Sequence, residues 1–133
     1  MSTEIRQAGA DPSDPPVGIV ALVSGDSLRI RVRADLNGNG AIDTAEPSED
    51  VTYAYDSTAR VVTRDPGSGP AVVLSNVDRM ALTYFDETNT PVTPLPLSST
   101  DAARVRSVGL TITANDRDSH PLTLDSRIAL RNL

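Results

Sequence analysis

The segment best suited to bind a ligand runs from residue 35 to residue 46, with the sequence DLNGNGAIDTAE. Its spacing matches the calcium-loop pattern, which places oxygen ligands at positions 1, 3, 5, 7, 9 and 12 and a glycine at position 6. The six ligand positions are filled by Asp35, Asn37, Asn39, Ala41 (through its backbone carbonyl), Asp43 and Glu46. Gly40 fills position 6, where the chain has to turn sharply. The sequence therefore predicts a Ca²⁺ ion held by these six residues.

A metal-free turn is the alternative interpretation of the same segment. Asn-Gly-Asn-Gly between two alternating runs is a strong β-turn signal, although a bare turn leaves the carboxylates of Asp43 and Glu46 unexplained. The flanking runs, 28–33 and 51–55, alternate with a period of two, which is typical of strands and not of the helices of an EF-hand. We therefore expect the loop to connect two strands and to have a structural role instead of sensing calcium.

The other polar groups give weaker signals. Three arginines, at positions 29, 31 and 33, share one side of a predicted strand. They could bind a carboxylate or a phosphate, or they could form a solvated outer face. We favour the solvated face. The acidic pairs at 49–50 and 116–118 are interpreted as solubilising. His120, the one histidine, lies in a hydrophilic turn, and a Ser-His-Asp triad would need groups from well-separated segments. We therefore predict that the protein is not an enzyme and has no catalytic residues.

Composition indicates one turn-rich domain. The 133 residues suffice to bury roughly two-thirds of the unfolded surface around a single core. Only 3% of the residues are aromatic, while 10 are proline and 8 glycine, which favours a β-containing domain with an aliphatic core. The formal net charge of −6 argues against binding nucleic acid or an anionic membrane surface through overall charge. With no cysteine, a disulfide framework and a thiolate zinc site are both excluded.

Hydrophobic alternation and turn signals predict the elements. Residues 2–9 resemble the last turns of a helix, and residues 11–16 a proline-rich linker. Strands are predicted at 19–23, 28–33, 51–56, 60–65, 71–74, 77–85, 106–114 and 126–133, with a short capped helix at 99–104. The long strands are expected to pair antiparallel in one sheet.

The order of several short segments resembles the periplasmic part of minor type IV pilins and type II secretion pseudopilins of the PilW and J type. The segments are EIRQAG at 4–9, DLNGNG at 35–40 running to Glu46, TYAYD at 52–56, LSNV at 74–77, LTYFD at 82–86, RVRSV at 104–108 and IALRNL at 128–133. The resemblance covers nearly the whole chain, although the processing site and the membrane half of the pilin helix are not in this sequence. It implies an α+β fold, with an N-terminal helix stub (1–10) packed on antiparallel sheet in a β-rich head (11–133), all in one pilin-like domain.

The same resemblance implies a function and a location. The protein would be the periplasmic head of an inner-membrane-anchored bacterial subunit. A prepilin peptidase would process this subunit, and its new N-terminus would be methylated. The subunit would then assemble with other minor and major pseudopilins or pilins into a fibre for protein transport or pilus assembly. Two rivals stay open. One is a free extracellular β module for adhesion, stabilised by calcium, and the other is a hydrolase that uses His120.

Overall fold

Two antiparallel sheets make up most of the part of the chain that the structure describes. The computed structural model describes residues 5–6, 22–35, 39, 41–42, 49–115 and 121–130. The first sheet has five strands in sequence order: β1 (Leu22–Gly25), β2 (Arg29–Arg33), β3 (Asp50–Asp56), β4 (Val61–Asp65) and β5 (Ala71–Leu74). The second sheet has three: β6 (Val77–Phe85), β7 (Ser107–Asn115) and β8 (Pro121–Ala129), with the helix α1 (Ser99–Arg104) between β6 and β7.

This architecture corrects the predicted fold class. Among the residues that the structure describes, 55% lie in strands and α1 is a short helix, so the prediction of an α+β fold with an N-terminal helix packed on a sheet is wrong. The mostly β fold class follows from the period-two alternation of β-branched and aliphatic residues, which is strongest in β6 and β7. Of the predicted helix stub at 1–10, only Ile5 and Arg6 are described, and the Ile5 side chain is fully buried in the core.

The strand pairing also departs from the single predicted sheet. Strands β1 to β5 form a meander of adjacent antiparallel pairs, and β6 to β8 form a second meander. The last strand begins at Pro121, five residues earlier than predicted. Proline is accepted there because the first residue of an edge strand can lack a backbone donor.

One hydrophobic cluster takes residues from both sheets. The inward positions of the first sheet supply Ile30, Tyr53 and Val62, and those of the second supply Val108 and Ile128, all at most 2% exposed. Burying such side chains stabilises the fold by about 1.5–3 kcal/mol each relative to exposure. The core is therefore aliphatic, as composition predicts, with two tyrosines as its largest members.

Tyr84 of β6 joins the two sheets. Its hydroxyl donates to the carbonyl oxygens of Asp26 (2.8 Å) and Arg29 (3.2 Å), which lie in the β1–β2 turn and at the start of β2. Gly25 makes room for the ring, since a Cβ at that position would lie 2.7 Å from Tyr84 Cζ. Burial raises the pKa of the Tyr84 hydroxyl well above its ordinary value.

The helix α1 is short and capped. The Ser98 side chain accepts a hydrogen bond from the Asp101 N–H at 3.1 Å, and Arg104 in the last turn pairs with Asp101. Ala102 is its buried residue. Within the described ranges, no helix has the length and apolar character needed to cross a bilayer.

Candidate metal centre

The ends of β2 and β3 hold the base of the calcium-like loop. Arg33 pairs with Asp50 in the β2–β3 ladder, and the Ala34 N–H donates to the Glu49 carbonyl oxygen at 3.0 Å, one step beyond it. Because Ile30 and Val32 face the core, the ladder is anchored on its inner side. As predicted, the segment after Ala34 connects two strands, and they are adjacent and antiparallel.

Two acidic residues are buried at this base. Asp35 is 0% exposed and Glu49 is 1% exposed, on the two chain segments that enter and leave the loop. Asp35 is the first predicted calcium ligand, whereas Glu49 was expected to be a solubilising residue and is instead fully enclosed. Burying a carboxylate costs free energy unless hydrogen bonds or cations compensate for it. The surrounding structure must therefore supply such partners at both positions. Neither residue is without an interaction partner.

The structure describes three of the six predicted ligands. Asn39 and Ala41 are exposed, and the Asn39 Oδ1 atom accepts a hydrogen bond from the Ala41 N–H at 2.9 Å, a local turn of the kind asparagine favours. Asn37, Asp43 and Glu46 lie outside the described residues. Across the described part of the chain, no three acidic, histidine or cysteine side chains come together as a metal-binding group.

The chemistry of these positions fits calcium. A buried carboxylate at position 1 and an amide oxygen at position 5 are hard oxygen donors, which Ca²⁺ prefers. The ligands of a bound ion would be Asp35, Asn37, Asn39, the Ala41 carbonyl, Asp43 and Glu46. An ion bound there would offset the negative charge of the loop carboxylates.

Asp50 organises an arginine clamp beside the loop base. Arg31 donates to both of its carboxylate oxygens, from Nε at 2.9 Å and from Nη2 at 2.8 Å, and Arg33 Nε adds a third bond at 3.1 Å. The Asp50 side chain is only 7% exposed. The Arg31 hydrogen bonds, and less strongly the single one from Arg33, lower the pKa of Asp50 below its ordinary value.

This clamp corrects one expectation. Asp50 was predicted to be solubilising, whereas its side chain is only 7% exposed and pairs with two arginines. Arg31 and Arg33 lie on the outer face of the first sheet, as predicted, and keep 38% and 34% of their side-chain surface exposed. The sequence contains the opposite charges of this clamp, and they come together when residue 33 pairs with residue 50 in the hairpin. Register across a 16-residue connection, from 34 to 49, could not be read from the sequence alone.

The histidine site is not tested by the structure. His120 and the neighbouring acidic residues Asp116 and Asp118 lie outside the described residues. The hydrolase alternative therefore stays a prediction from the sequence.

Comparison with known proteins adds no family. The chain matches no protein-family model, and no curated protein is significantly similar to it. The pilin-like resemblance therefore stays a prediction from the sequence.

Proposed function

We propose that this chain is a structural subunit, the head of a minor pseudopilin or pilin, which contacts other pseudopilins or pilins in a type II secretion or type IV pilus assembly. The order of the short segments from 4–9 to 128–133 supports the class. The observation that carries the proposal is the edge strand β5, where all four residues are exposed and three are large and apolar: Val72 is 56% exposed, Val73 51% and Leu74 39%. A run of this kind at a sheet edge is typical of a surface that binds another protein.

The geometry of β5 favours a protein neighbour. Its pairing with β4 shifts register between Val62 and Thr63, so Val73 is an extra residue in the strand. Leu74 lies opposite the buried Val62 and extends the apolar inner face to the edge, while Val72 lies opposite Thr63 on the outer face. A neighbouring subunit that packs over this edge would cover both faces at once.

Site-specific cross-linking in the native cell tests the contact. A photoreactive residue in place of Val72 should give a discrete cross-linked product, because the side chain points into the proposed contact. The matched control is Thr83, which is also exposed and in a strand but lies in the second sheet, on β6. Equal yields from positions 72 and 83, or no product from either, would contradict the contact.

Calcium is proposed to stabilise the loop between β2 and β3. An ion that binds only the folded state adds about 2.7 kcal/mol to the free energy of unfolding at a hundredfold excess over its dissociation constant. We expect calcium to raise the melting temperature by roughly 10 °C, measured by thermal denaturation with and without chelator. Asp35→Asn should abolish this rise.

Glu49→Gln is the matched control for that experiment. Glu49 is a buried carboxylate at the same loop base but is not among the six predicted ligands. The variant should melt at a lower temperature in both conditions and keep the calcium-dependent rise. A rise that persists in Asp35→Asn, or is lost equally in both variants, would rule out the predicted ligand set.

A further inference from the structure

Strand β8 has an open edge. It is the terminal strand of the second sheet as described, and it extends over nine residues. The opposite edge, β6, is covered: the Leu82 N–H donates to the Ser27 carbonyl, and the Tyr84 carbonyl accepts from the Val92 N–H, both at 2.8 Å. Between described residues, no backbone hydrogen bond reaches β8 on the side away from β7.

The direction of the backbone groups along β8 follows from its pairing. The Leu130 N–H donates to the Arg106 carbonyl at 2.9 Å, and the β7–β8 register continues without a bulge from Ser107↔Ala129 to Asn115↔Pro121. In an antiparallel ladder, successive residues turn their N–H and C=O groups to opposite sides. The even-numbered residues of β8 therefore face β7, and the odd-numbered residues from 123 to 129 present N–H and C=O groups outward.

The side chains of β8 leave apolar surface uncovered. Leu122 and Leu124 are 64% and 58% exposed, although they lie on the same face of the sheet as Ile128, which is buried in the core. An edge of this length with exposed leucines is a site for strand pairing unless charge or shape blocks it. The charges on β8 are one aspartate and one arginine, two residues apart.

We propose that a second copy of this chain pairs with β8, edge to edge and antiparallel, about a two-fold axis at Ser126. In that register Asp125 of each copy lies opposite Arg127 of the other, so two ion pairs form on the outer face. Thr123 lies opposite Ala129. On the inner face, Leu124 lies opposite Ile128 and gains an apolar neighbour. The two three-stranded sheets become one continuous sheet of six strands.

Charge and backbone direction favour this register. An axis at Asp125 would place two aspartates opposite each other, and an axis at Arg127 would place two guanidinium groups together, which is unfavourable. A register that pairs odd-numbered with even-numbered residues would leave the backbone N–H and C=O groups of one strand pointing away from the other strand. The Ser126 axis pairs outward-facing residues with each other and matches opposite charges twice.

Existing contacts hold the two charged side chains on the outer face. Asp125 Oδ1 accepts a hydrogen bond from Thr111 Oγ1 at 2.6 Å. The Arg127 guanidinium lies 3.4 Å from the centre of the Phe85 ring. Both groups are thus ordered before association, which lowers the entropy lost on forming the pair.

Disulfide trapping tests the register. The two Ser126 residues would form a pair without mutual backbone hydrogen bonds, about 4.5 Å apart at Cα, which a disulfide can bridge. The natural chain has no cysteine, so Ser126→Cys introduces one thiol. Under mild oxidation at micromolar concentration it should form a covalent dimer. Leu124→Cys, on the same face but off the axis, should stay largely monomeric.

Charge reversal tests the partner. Sedimentation equilibrium should give a concentration-dependent dimer for the natural chain and a dissociation constant raised about tenfold or more for Asp125→Arg or Arg127→Asp, because like charges then face each other twice. A mixture of the two variants should dimerise again, since each Arg–Arg strand then meets an Asp–Asp strand. A chain that stays monomeric at every concentration, or equal trapping of Ser126→Cys and Leu124→Cys, would overturn the proposal.

Discussion

Replacing Asp50 with alanine should lower the free energy of unfolding by about 2–3 kcal/mol. The carboxylate accepts three charge-assisted hydrogen bonds from Arg31 and Arg33 while being only 7% exposed. Removing one partner of a buried ion pair costs about 3–5 kcal/mol, and the loss is smaller here because the two arginines keep 38% and 34% of their side-chain surface in water. Denaturant unfolding followed by circular dichroism measures the change.

Glu87→Ala is the control for Asp50→Ala. Glu87 is exposed in the turn after β6, and its removal should change the free energy of unfolding by less than about 0.5 kcal/mol. Equal effects of the two substitutions would contradict a stabilising role for the clamp.

The clamp also makes stability depend on pH. The folded-state pKa of Asp50 is lowered, chiefly by hydrogen bonds from Arg31, so its contribution is fully present above the unfolded-state pKa of about 3.9. It is lost as the pH falls below that value and through the folded-state pKa. Asp50→Asn should therefore show a shallower loss of stability between neutral and strongly acidic pH than the natural chain.

Tyr84→Ala should be the most destabilising single substitution in the interface between the sheets, at about 3–5 kcal/mol. The ring is 1% exposed and packs against Gly25, and its hydroxyl ties β6 to the β1–β2 turn. Truncating a buried aromatic side chain leaves a cavity in addition to losing apolar burial. Thermal and denaturant unfolding should report the loss, while Tyr84→Phe, which removes only the hydroxyl, should cost about 1–2 kcal/mol.

Alkaline unfolding separates the hydroxyl from the ring. Burial raises the pKa of Tyr84, so the unfolded chain ionises near pH 10 while the folded chain holds the neutral phenol. Stability is therefore lost as the pH rises above about 10, and Tyr84→Phe should remove part of that loss. Tyr55→Phe is the control, because Tyr55 is less buried and its hydroxyl donates to the Val77 carbonyl. An identical alkaline response in both phenylalanine variants would contradict the assignment.

The strands could be predicted largely from local pattern. Alternation identified β2 to β4, β6 and β7 closely, because each of these strands has one buried side and one more exposed side. The exposed strand β5 was predicted from the turn signals around it, and the run 99–104 indicated the capped helix α1. The division into two sheets could not be predicted. It depends on long-range contacts such as the hydrogen bond from the Leu82 N–H to Ser27, and alternation carries no information about which strand pairs with which.

The setting of the candidate site followed from the sequence, whereas the calcium site itself stays a prediction. The alternating runs at 28–33 and 51–55 correctly placed the segment that begins at Asp35 between two strands. The burial of Glu49 and the role of Asp50 were missed, because adjacent acidic residues in a loop usually indicate solvent exposure. Only the β2–β3 register, which places Asp50 beside Arg31 and Arg33, reveals their environment. The N-terminal helix was inferred from resemblance and spacing, and the predicted α+β fold that rested on it was wrong.

The most direct test of the proposed structural role is the identity of the protein that cross-links to position 72 in the native cell. Mass spectrometry of the product from Val72, compared with that from Thr83, gives this identity. We expect another pilin-like subunit, one with a processed and methylated apolar N-terminal helix. A component of the extracellular matrix or cell surface would contradict it and would favour the free adhesion module.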